Sequence, residues 1–311
     1  MSQYVTKVRT NQGDKQIDYN ALANLPTISN PNLLVNSDFR SPINQRGITK
    51  YEGMATKGYT IDRWCMGDND FGRTVEVVSG GITITNPNSQ YTGTFQQIFE
   101  NTLPQDNYTL SVKVKSKTGG ATMSCGGSNS TKKEINVGIN TFTINSSTVN
   151  SFVILLATNS SITLEWAKLE VGTVATTFVP RIYAEEVALC KRFYQVITLY
   201  NANAVCDLHK RNNNEYAGMM HFEPMRSVPT ITRTGGFYVE QYNSSGQLYA
   251  TMENSFSNFV ISAQWTELRF DITLSTVDPV NYLAVASDNV IFRFDAEIYW
   301  YLKFYNRFVS A

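Results

Sequence analysis

The strongest constraint on the fold is a period of two in the apolar residues. In YTLSVKVKSK (residues 108–117) the apolar side chains share one face of the predicted strand and the polar ones share the other. The apolar face consists of Tyr108, Leu110, Val112 and Val114. The polar face consists of Thr109, Ser111, Lys113 and Lys115. A strand with one apolar and one wet face is typical of antiparallel sheets.

The same pattern recurs along the first half of the chain. GRTVEVVSGGITITN and SITLEWAKLEVG alternate in the same way, whereas NSFVILLATN is apolar on both faces and is predicted to be a central strand. Clusters such as SGG, NPNS, KTGG and GGSNS separate these runs at short intervals. Short strands between such turns indicate a sandwich or a jelly roll.

The second half alternates too. In QWTELRFDITL and IFRFDAEIYW we expect the inward side chains to be Leu268, Phe270, Ile272, Leu274, Phe292, Phe294, Ala296, Ile298 and Trp300. The outward ones are then Trp265, Glu267, Arg269, Asp271, Arg293, Asp295, Glu297 and Tyr299. This stretch therefore predicts a second sandwich.

One segment between the two halves breaks the pattern. IYAEEVALCKRFYQ has the composition of a short helix, and Val187, Cys190 and Tyr194 follow the three-and-four spacing of one helical face. The sequence thus predicts an all-β protein with two antiparallel, jelly-roll-like β-sandwich domains joined by a short helix. The expected divisions are an attachment or oligomerisation segment (1–31), a jelly-roll domain (32–182), and a C-terminal sandwich that includes the helix (183–311).

Charge and hydropathy limit the partners. Lys plus Arg and Asp plus Glu number 26 each, so the basic excess of most nucleic-acid-binding proteins is missing, and we expect no nucleic-acid partner. No apolar run approaches the roughly 20 residues of a membrane span, and we expect no membrane insertion. The opening MSQYVTKVRTNQ has no apolar signal-peptide core. We therefore expect a soluble protein.

Motifs for catalysis or metal binding are scarce. The cysteines are Cys65, Cys125, Cys190 and Cys206; they form no CxxC pair, and we expect buried, reduced thiols. The two histidines, His209 and His221, fall in different predicted surroundings and are interpreted as surface or hydrogen-bonded residues. The Asp-rich stretch GDNDFG is interpreted as a turn, since it lacks the later glutamate of a calcium loop. We predict no cofactor, no metal and no catalytic residue.

A candidate ligand site lies on the outward faces of the second half. Trp265 is an aromatic residue on a polar face, with Arg269 on the same strand, and Tyr299 lies on the outward face of another. A ring that stacks on a sugar, beside a planar guanidinium for its hydroxyls, would have this pattern. A contact between subunits would have it as well, because interfaces are enriched in Trp, Tyr and Arg. Both interpretations stay open.

Four stretches in a fixed order add a resemblance. NPNLLVNSDFRSPINQRG, GYTIDRWCM, WAKLEVGTVATTFVPR and EEVALCKRFYQ follow one another between about residues 30 and 196. This series resembles a module of bacteriophage tail fibre, baseplate and receptor-binding proteins that contains a jelly roll similar to carbohydrate-binding modules. HFEPMRSVPTIT resembles the start of the domain that often follows. The chain departs from the family pattern at Lys191 and Phe193, where Gln and Tyr are usual.

The resemblance implies a non-enzymatic adhesion protein of the virion tail, assembled in the host cytoplasm, that recognises a bacterial surface glycan. VRTNQGDKQIDYNALANLP looks like the segment by which such proteins trimerise or attach to other tail or baseplate proteins. Residues 1–31 cannot bury a core alone, which also favours a homotrimer. A purely structural tail subunit is the main alternative. A glycan-cleaving depolymerase is a third, because its paired carboxylates are defined in space and not by sequence neighbours.

The motif residues themselves suggest architecture. Asn36, Asn44 and Arg46 are suited to hydrogen-bonding the entry of a strand. Asp62 and Arg63 are expected to pair with each other beside Trp64. We predict that these residues support the fold and do not contact the glycan.

Overall fold

The fold is all-β with antiparallel sheets, as the sequence predicts. The structure is a computed structural model that describes residues 7–10, 13–16, 29–52, 58–67, 72–126, 131–146, 149–201, 203–211, 215–242, 245, 248–253, 256–263, 266–274, 281–286 and 289–298. Within these ranges every pair of strands is antiparallel and Tyr183–Lys191 is the one α-helix.

The strands before the helix form a hairpin and two larger sheets. Their bounds are β1 Lys7–Thr10, β2 Gly13–Gln16, β3 Lys50–Tyr51, β4 Cys65–Met66, β5 Thr74–Val78, β6 Gly81–Asn86, β7 Gly93–Leu103, β8 Asp106–Thr118, β9 Ala121–Cys125, β10 Lys133–Glu134, β11 Gly138–Ser146, β12 Val149–Leu156 and β13 Ser160–Val171. The hairpin β1–β2 is a sheet of its own. The larger sheets have the orders β10-β9-β12-β7-β4 and β11-β8-β13-β6-β5-β3. We call these two sheets the first sandwich.

The apolar faces of these two sheets enclose one core. Trp64 is fully buried at its centre and stacks on Phe95, with ring centroids 4.9 Å apart. The predicted inward side chains of β8 are all buried in this core, and Trp166 is buried as well. The strand from NSFVILLATN, β12, lies between β7 and β9, so its prediction as a central strand is confirmed. Burial of these side chains supplies the main stabilisation of the sandwich.

The face of β8 that was predicted to be solvent-exposed is only partly exposed. Thr109 and Ser111 are buried, although the alternation places them outward. The segment after β13 covers Thr109, whose hydroxyl donates to the carbonyl of Gly172 at 2.7 Å. Beside them Lys168 and Glu170 form a buried ion pair at 3.1 Å. A loop that returns over a sheet buries polar residues, and strand periodicity cannot reveal such a loop.

The helix α1 (Tyr183–Lys191) follows the first sandwich, and the next strand begins at Tyr194. The predicted helix was therefore a few residues too long at its C-terminal end. Glu185 and Glu186 lie in its first turn, where negative charge is favourable. Cys190 and Tyr194 are buried, as expected, whereas Val187 is only half-buried and faces an open groove beside Met225.

The strands after the helix form two further sheets. Their bounds are β14 Tyr194–Leu199, β15 Ala204–Lys210, β16 Glu215–His221, β17 Thr230–Thr234, β18 Phe237–Tyr242, β19 Leu248–Glu253, β20 Phe256–Ala263, β21 Glu267–Leu274, β22 Asn281–Ala286 and β23 Val290–Asp295. The orders are β14-β23-β17 and β19-β18-β22-β15-β16-β21-β20. We call these two sheets the C-terminal sheets.

The C-terminal sheets enclose a second core. The predicted inward residues Leu268, Phe292, Phe294, Ala296 and Ile298 are buried. Trp300 and the Asp-rich turn at residues 68–70 lie outside the described residues. The domain bounds drawn from the sequence stay a prediction. Within the described ranges, no helix combines the length and apolar character that crossing a membrane would require.

Candidate functional site

An open groove lies on the solvent face of three neighbouring strands, β15, β16 and β21. Pairing of β15 with β16 sets His209 opposite Ala217, and pairing of β16 with β21 sets Met219 opposite Arg269. The groove has a volume of about 460 Å³. Its lining consists of Asp207, His209, Arg211, Ala217, Gly218, Met219, His221 and Arg269. We call it the strand groove.

The lining of the strand groove combines hydrogen-bonding groups with one apolar side chain. Asp207, His209 and His221 are exposed, Arg269 is half-exposed, and the Met219 side chain is 56% exposed. A carboxylate accepts hydrogen bonds, a guanidinium donates them, and an imidazole can do either. An exposed thioether gives a soft apolar surface that adapts to a ligand. This set suits a ligand with many hydroxyl groups.

Gly218 keeps two of these strands close together. A β-carbon at this position would lie 2.5 Å from the Cys206 sulfur and 2.7 Å from the carbonyl oxygen of Asp207. Any larger residue would push β16 away from β15, since real contacts are never so short. The glycine therefore maintains the spacing of the side chains that line the strand groove.

The structure places one of the three predicted ligand residues. Arg269 lies on the solvent face of β21 and lines the strand groove, in agreement with its predicted outward orientation. Trp265 and Tyr299 lie outside the described residues. The described chain resumes after Trp265 at Thr266, whose carbonyl accepts a hydrogen bond from the Phe222 backbone at 3.0 Å. The prediction that the three residues act together stays a prediction.

Sequence reasoning missed part of the lining. His209 and His221 were assigned to different surroundings, yet strand pairing brings both to the same groove. The signal was present in the alternation of β15. Asp207 and His209, followed by Arg211 just after the strand, lie on the face opposite to Cys206 and Leu208. The alternation is interrupted once, by a register shift at Val205. Only the antiparallel pairing of β15 with β16, the next strand in the chain, brings the two histidines to one groove.

The motif residues of the resemblance gather elsewhere, where the first sandwich meets the C-terminal sheets. We call this contact the junction and define it by Arg46, Asp62, Arg63, Tyr194 and Glu297. Its apolar part is a small cluster with members from both sides: Tyr59, Cys65, Ile98, Phe193 and Ile298. The Tyr59 hydroxyl also donates to the carbonyl of Ile298 at 2.8 Å.

Arg63 and Glu297 form the main ion pair of the junction. The Arg63 Nη1 atom lies 2.6 Å from the Glu297 Oε2 atom, and both side chains are at most 3% exposed. Arg63 also donates to the carbonyl of Ile98 at 2.8 Å and stacks over the Phe193 ring at 3.5 Å. Two expectations were wrong here. Glu297 faces inward, and Arg63 pairs with it instead of with Asp62, because Asp62 is bonded to other residues.

Asp62 is bound by a different arginine. Its Oδ1 atom lies 3.3 Å from Arg46 Nη1, and its Oδ2 atom accepts from the side chain of Gln45 at 2.6 Å. Arg46 in turn stacks on the Tyr194 ring at 3.8 Å. Burial raises the pKa of Asp62 to about 6, and this effect exceeds the lowering by Arg46 and Gln45.

Asn36 and Asn44 have the structural roles that the sequence predicts. Asn36 is buried with a φ of 55°, and its side chain donates to the carbonyls of Ile43 and Asp62 at 2.8 and 2.7 Å. Asn44 donates to the carbonyl of Ile48 at 2.8 Å. Asparagine tolerates the left-handed region better than most residues, so Asn36 both permits the turn and closes it with its amide.

The thiols are not placed for nucleophilic chemistry. All four cysteines are free and buried, as expected. Burial raises the pKa of Cys125 and of Cys206 to about 12, and that of Cys190 further, so these groups stay protonated at neutral pH. Among the residues that the structure describes, no group of three or more His, Cys, Asp or Glu side chains could hold a metal ion.

Comparison with known proteins gives weak likenesses only. No family model and no curated protein matches the chain. A tandem CBM22-1–CBM22-2 domain of Xyn10C from Paenibacillus barcinonensis is 10% identical with a TM-score of 0.26, covering 87% of this chain and 98% of its own. The PBSX exported protein XepA is 11% identical with a TM-score of 0.17, covering 84% and 99%. Both scores are under 0.5, so we draw neither fold nor function from them.

Proposed function

We propose that the protein is a non-enzymatic bacteriophage tail adhesion protein that binds a bacterial surface glycan in the strand groove. The observation that carries this proposal is the groove itself. It presents a carboxylate, two imidazoles and two guanidinium groups on one solvent-exposed sheet face, with Met219 among them. Sites for small polar ligands combine a concave surface with a few convergent polar groups of this kind.

The sequence resemblance supports the same role. The four ordered stretches are similar to a module of phage tail fibre and receptor-binding proteins, and most of their distinctive residues lie at the junction and in the first sandwich. In this arrangement the first sandwich supports the C-terminal sheets, and the C-terminal sheets contact the host.

Association of three chains would strengthen such binding. Single-site sugar binding is usually weak, and three linked sites raise the apparent affinity without any new contact. We therefore include a homotrimer in the proposal, with residues 1–31 as the segment of attachment to other tail or baseplate proteins.

Binding of the full-length protein to an array of bacterial surface glycans tests the proposal. We expect a restricted set of positive glycans that share a structural element. A purely structural tail subunit would bind none of them. A depolymerase would release reducing ends from host polysaccharide. If mutation of one carboxylate abolished this release, the protein would be an enzyme and the proposal would be wrong.

The Trp265→Ala variant tests the aromatic part of the site. If Trp265 stacks on the sugar, the variant loses array binding and adsorption to host cells while its melting temperature and its mass in solution stay nearly unchanged. If Trp265 instead lies between subunits, the variant dissociates or melts earlier, and adsorption fails only as a consequence. Normal adsorption by a folded variant would contradict the assignment of Trp265.

A further inference from the structure

An unusual amount of apolar surface lies in the segment between β13 and α1. Five large apolar side chains in residues 171–183 are exposed, each by at least 44%: Val171, Val174, Val179, Ile182 and Tyr183. We call these five residues the apolar strip. Single exposed apolar residues are ordinary on a protein surface, whereas contiguous exposed apolar surface is typical of interaction sites.

The strip is also nearly free of charge. Arg181 is the one charged residue between positions 171 and 183. Its guanidinium donates to the carbonyl of Leu34 at 2.8 Å and lies 3.2 Å from Glu186, so its charge is directed toward its own sandwich. Loss of charge at the centre of a surface patch is the compositional mark of protein–protein interfaces.

The helix that follows, α1, carries the charged residues Glu185, Glu186 and Lys191 but also has exposed apolar side chains. In α1 only Cys190 is buried, although Tyr183, Ala184, Val187, Ala188 and Leu189 are apolar. In one copy of this chain the solvent side of α1 is uncovered, and it directly continues the strip.

The place where the N-terminal segment reaches the sandwich indicates what covers the strip. The Ser29 hydroxyl donates to the carbonyl of Thr177 at 2.8 Å, and the Asn30 backbone donates to the Thr176 hydroxyl at 2.9 Å. Both contacts lie between Val174 and Val179. Ser29 and Asn30, at the end of the N-terminal segment, therefore contact the middle of the strip.

The described part of that N-terminal segment is a small hairpin. The hairpin of β1 and β2 is a two-stranded sheet by itself, with four paired residues in each strand. An isolated hairpin of this size is at best marginally stable in water. Association of the segments of several copies would link their apolar strips, because each segment joins its sandwich at the strip.

We propose that the apolar strip is the surface by which copies of this chain contact one another, with a second copy as its occupant. The proposal rests on the homotrimer included in the proposed function and goes further by naming the interface. It places the contact next to the N-terminal segment, and no residue of the strip lines the strand groove.

Sedimentation of the full-length protein over a range of concentrations tests this interface. We expect the wild type to be associated and the double variant Val174→Asp/Ile182→Asp to associate at least about tenfold more weakly, because two buried aliphatic contacts are replaced by charges. The double variant Val137→Asp/Ile139→Asp is the matched control. Its two apolar residues are 64% and 67% exposed but lie outside the strip, and we expect wild-type association.

Far-UV circular dichroism establishes that the variants are folded, and Ile182→Ser alone replaces the double variant if that protein does not fold. Wild-type association of a folded strip variant, or equal dissociation of the control, would overturn the interface and leave glycan binding untouched. A wild type that is monomeric at all concentrations would overturn both the interface and the homotrimer. Failure of the glycan array alone would not affect this result.

Discussion

At the junction, Arg63 and Glu297 are at most 3% exposed and bonded to each other at 2.6 Å, whereas in the strand groove Asp207, His209 and His221 are exposed to solvent. Both regions use charged and polar side chains. Removing one partner of a buried ion pair is strongly destabilising, so the junction accepts few alternatives. Exposed polar groups are solvated and do not need a fixed protein partner. The residues of the strand groove can therefore vary to fit a ligand.

This difference explains where the recognisable sequence motifs lie. INQRG, IDRW and CKRFY supply most of the junction, and none of them lines the strand groove. We infer that the motifs are architectural and that the chemistry of recognition lies in residues with no motif. The predictions below test that separation, from the largest expected effect to the smallest.

The largest effect is expected for Glu297→Ala. The substitution leaves Arg63 buried without its carboxylate, and also removes the acceptor of the Arg63 backbone NH at 3.2 Å. Loss of one partner of a buried pair costs about 3–5 kcal/mol. Urea unfolding should show this loss in the free energy of unfolding.

Glu223→Ala is the matched control for this measurement. Glu223 is 64% exposed and lies 3.9 Å from Lys191, so its removal should cost less than about 1 kcal/mol. If Glu297→Ala costs no more than Glu223→Ala, the junction does not hold the two regions together in the way described.

A smaller effect is expected for Asp62 and depends on pH. Because its pKa is about 6 in the folded protein and about 3.9 when unfolded, the folded state takes up a proton between these values and the unfolded state does not. This group therefore raises the free energy of unfolding as the pH falls from 7.5 to 4.5, by about 2 kcal/mol.

Asp62→Asn should remove this contribution. We expect the free energy of unfolding of the wild type, relative to the variant, to be about 2 kcal/mol higher at pH 4.5 than at pH 7.5. The comparison cancels the other carboxylates, which titrate in both proteins. A constant difference between the two proteins would show that the ion pair with Arg46 balances the burial of Asp62, and a change of the opposite sign would show that it outweighs the burial.

The sequence predicted more of the fold than of the site. Alternation in β8 and β23 correctly placed Leu110, Val112, Phe292 and Phe294 in the two cores, because the side-chain period of a strand is local information. It failed for Thr109, which a later loop covers. The contact that buries Thr109 comes from Gly172, a distant part of the chain.

The same limit applies to the site and the junction. Arg269 was identified as an outward residue, but its neighbours His209 and His221 come from two other strands. Glu297 continues an outward series after Arg293 and Asp295, and only its contact with Arg63, 234 positions away, shows that it is buried. Strand periodicity predicts on which face of the sheet a side chain lies, but not which part of the chain packs against that face.

The most direct test of the account measures two quantities on Arg269→Ala, the dissociation constant for the strongest glycan of the array by calorimetry and the melting temperature. Arg40→Ala is the control, since Arg40 is an exposed arginine of the first sandwich whose side chain is 42% exposed. We predict that Arg269→Ala weakens binding at least about tenfold, or about 1.4 kcal/mol, while its melting temperature stays close to that of the wild type. Arg40→Ala should change neither quantity. Unchanged glycan affinity in a folded Arg269→Ala protein would contradict the claim that recognition takes place in the strand groove.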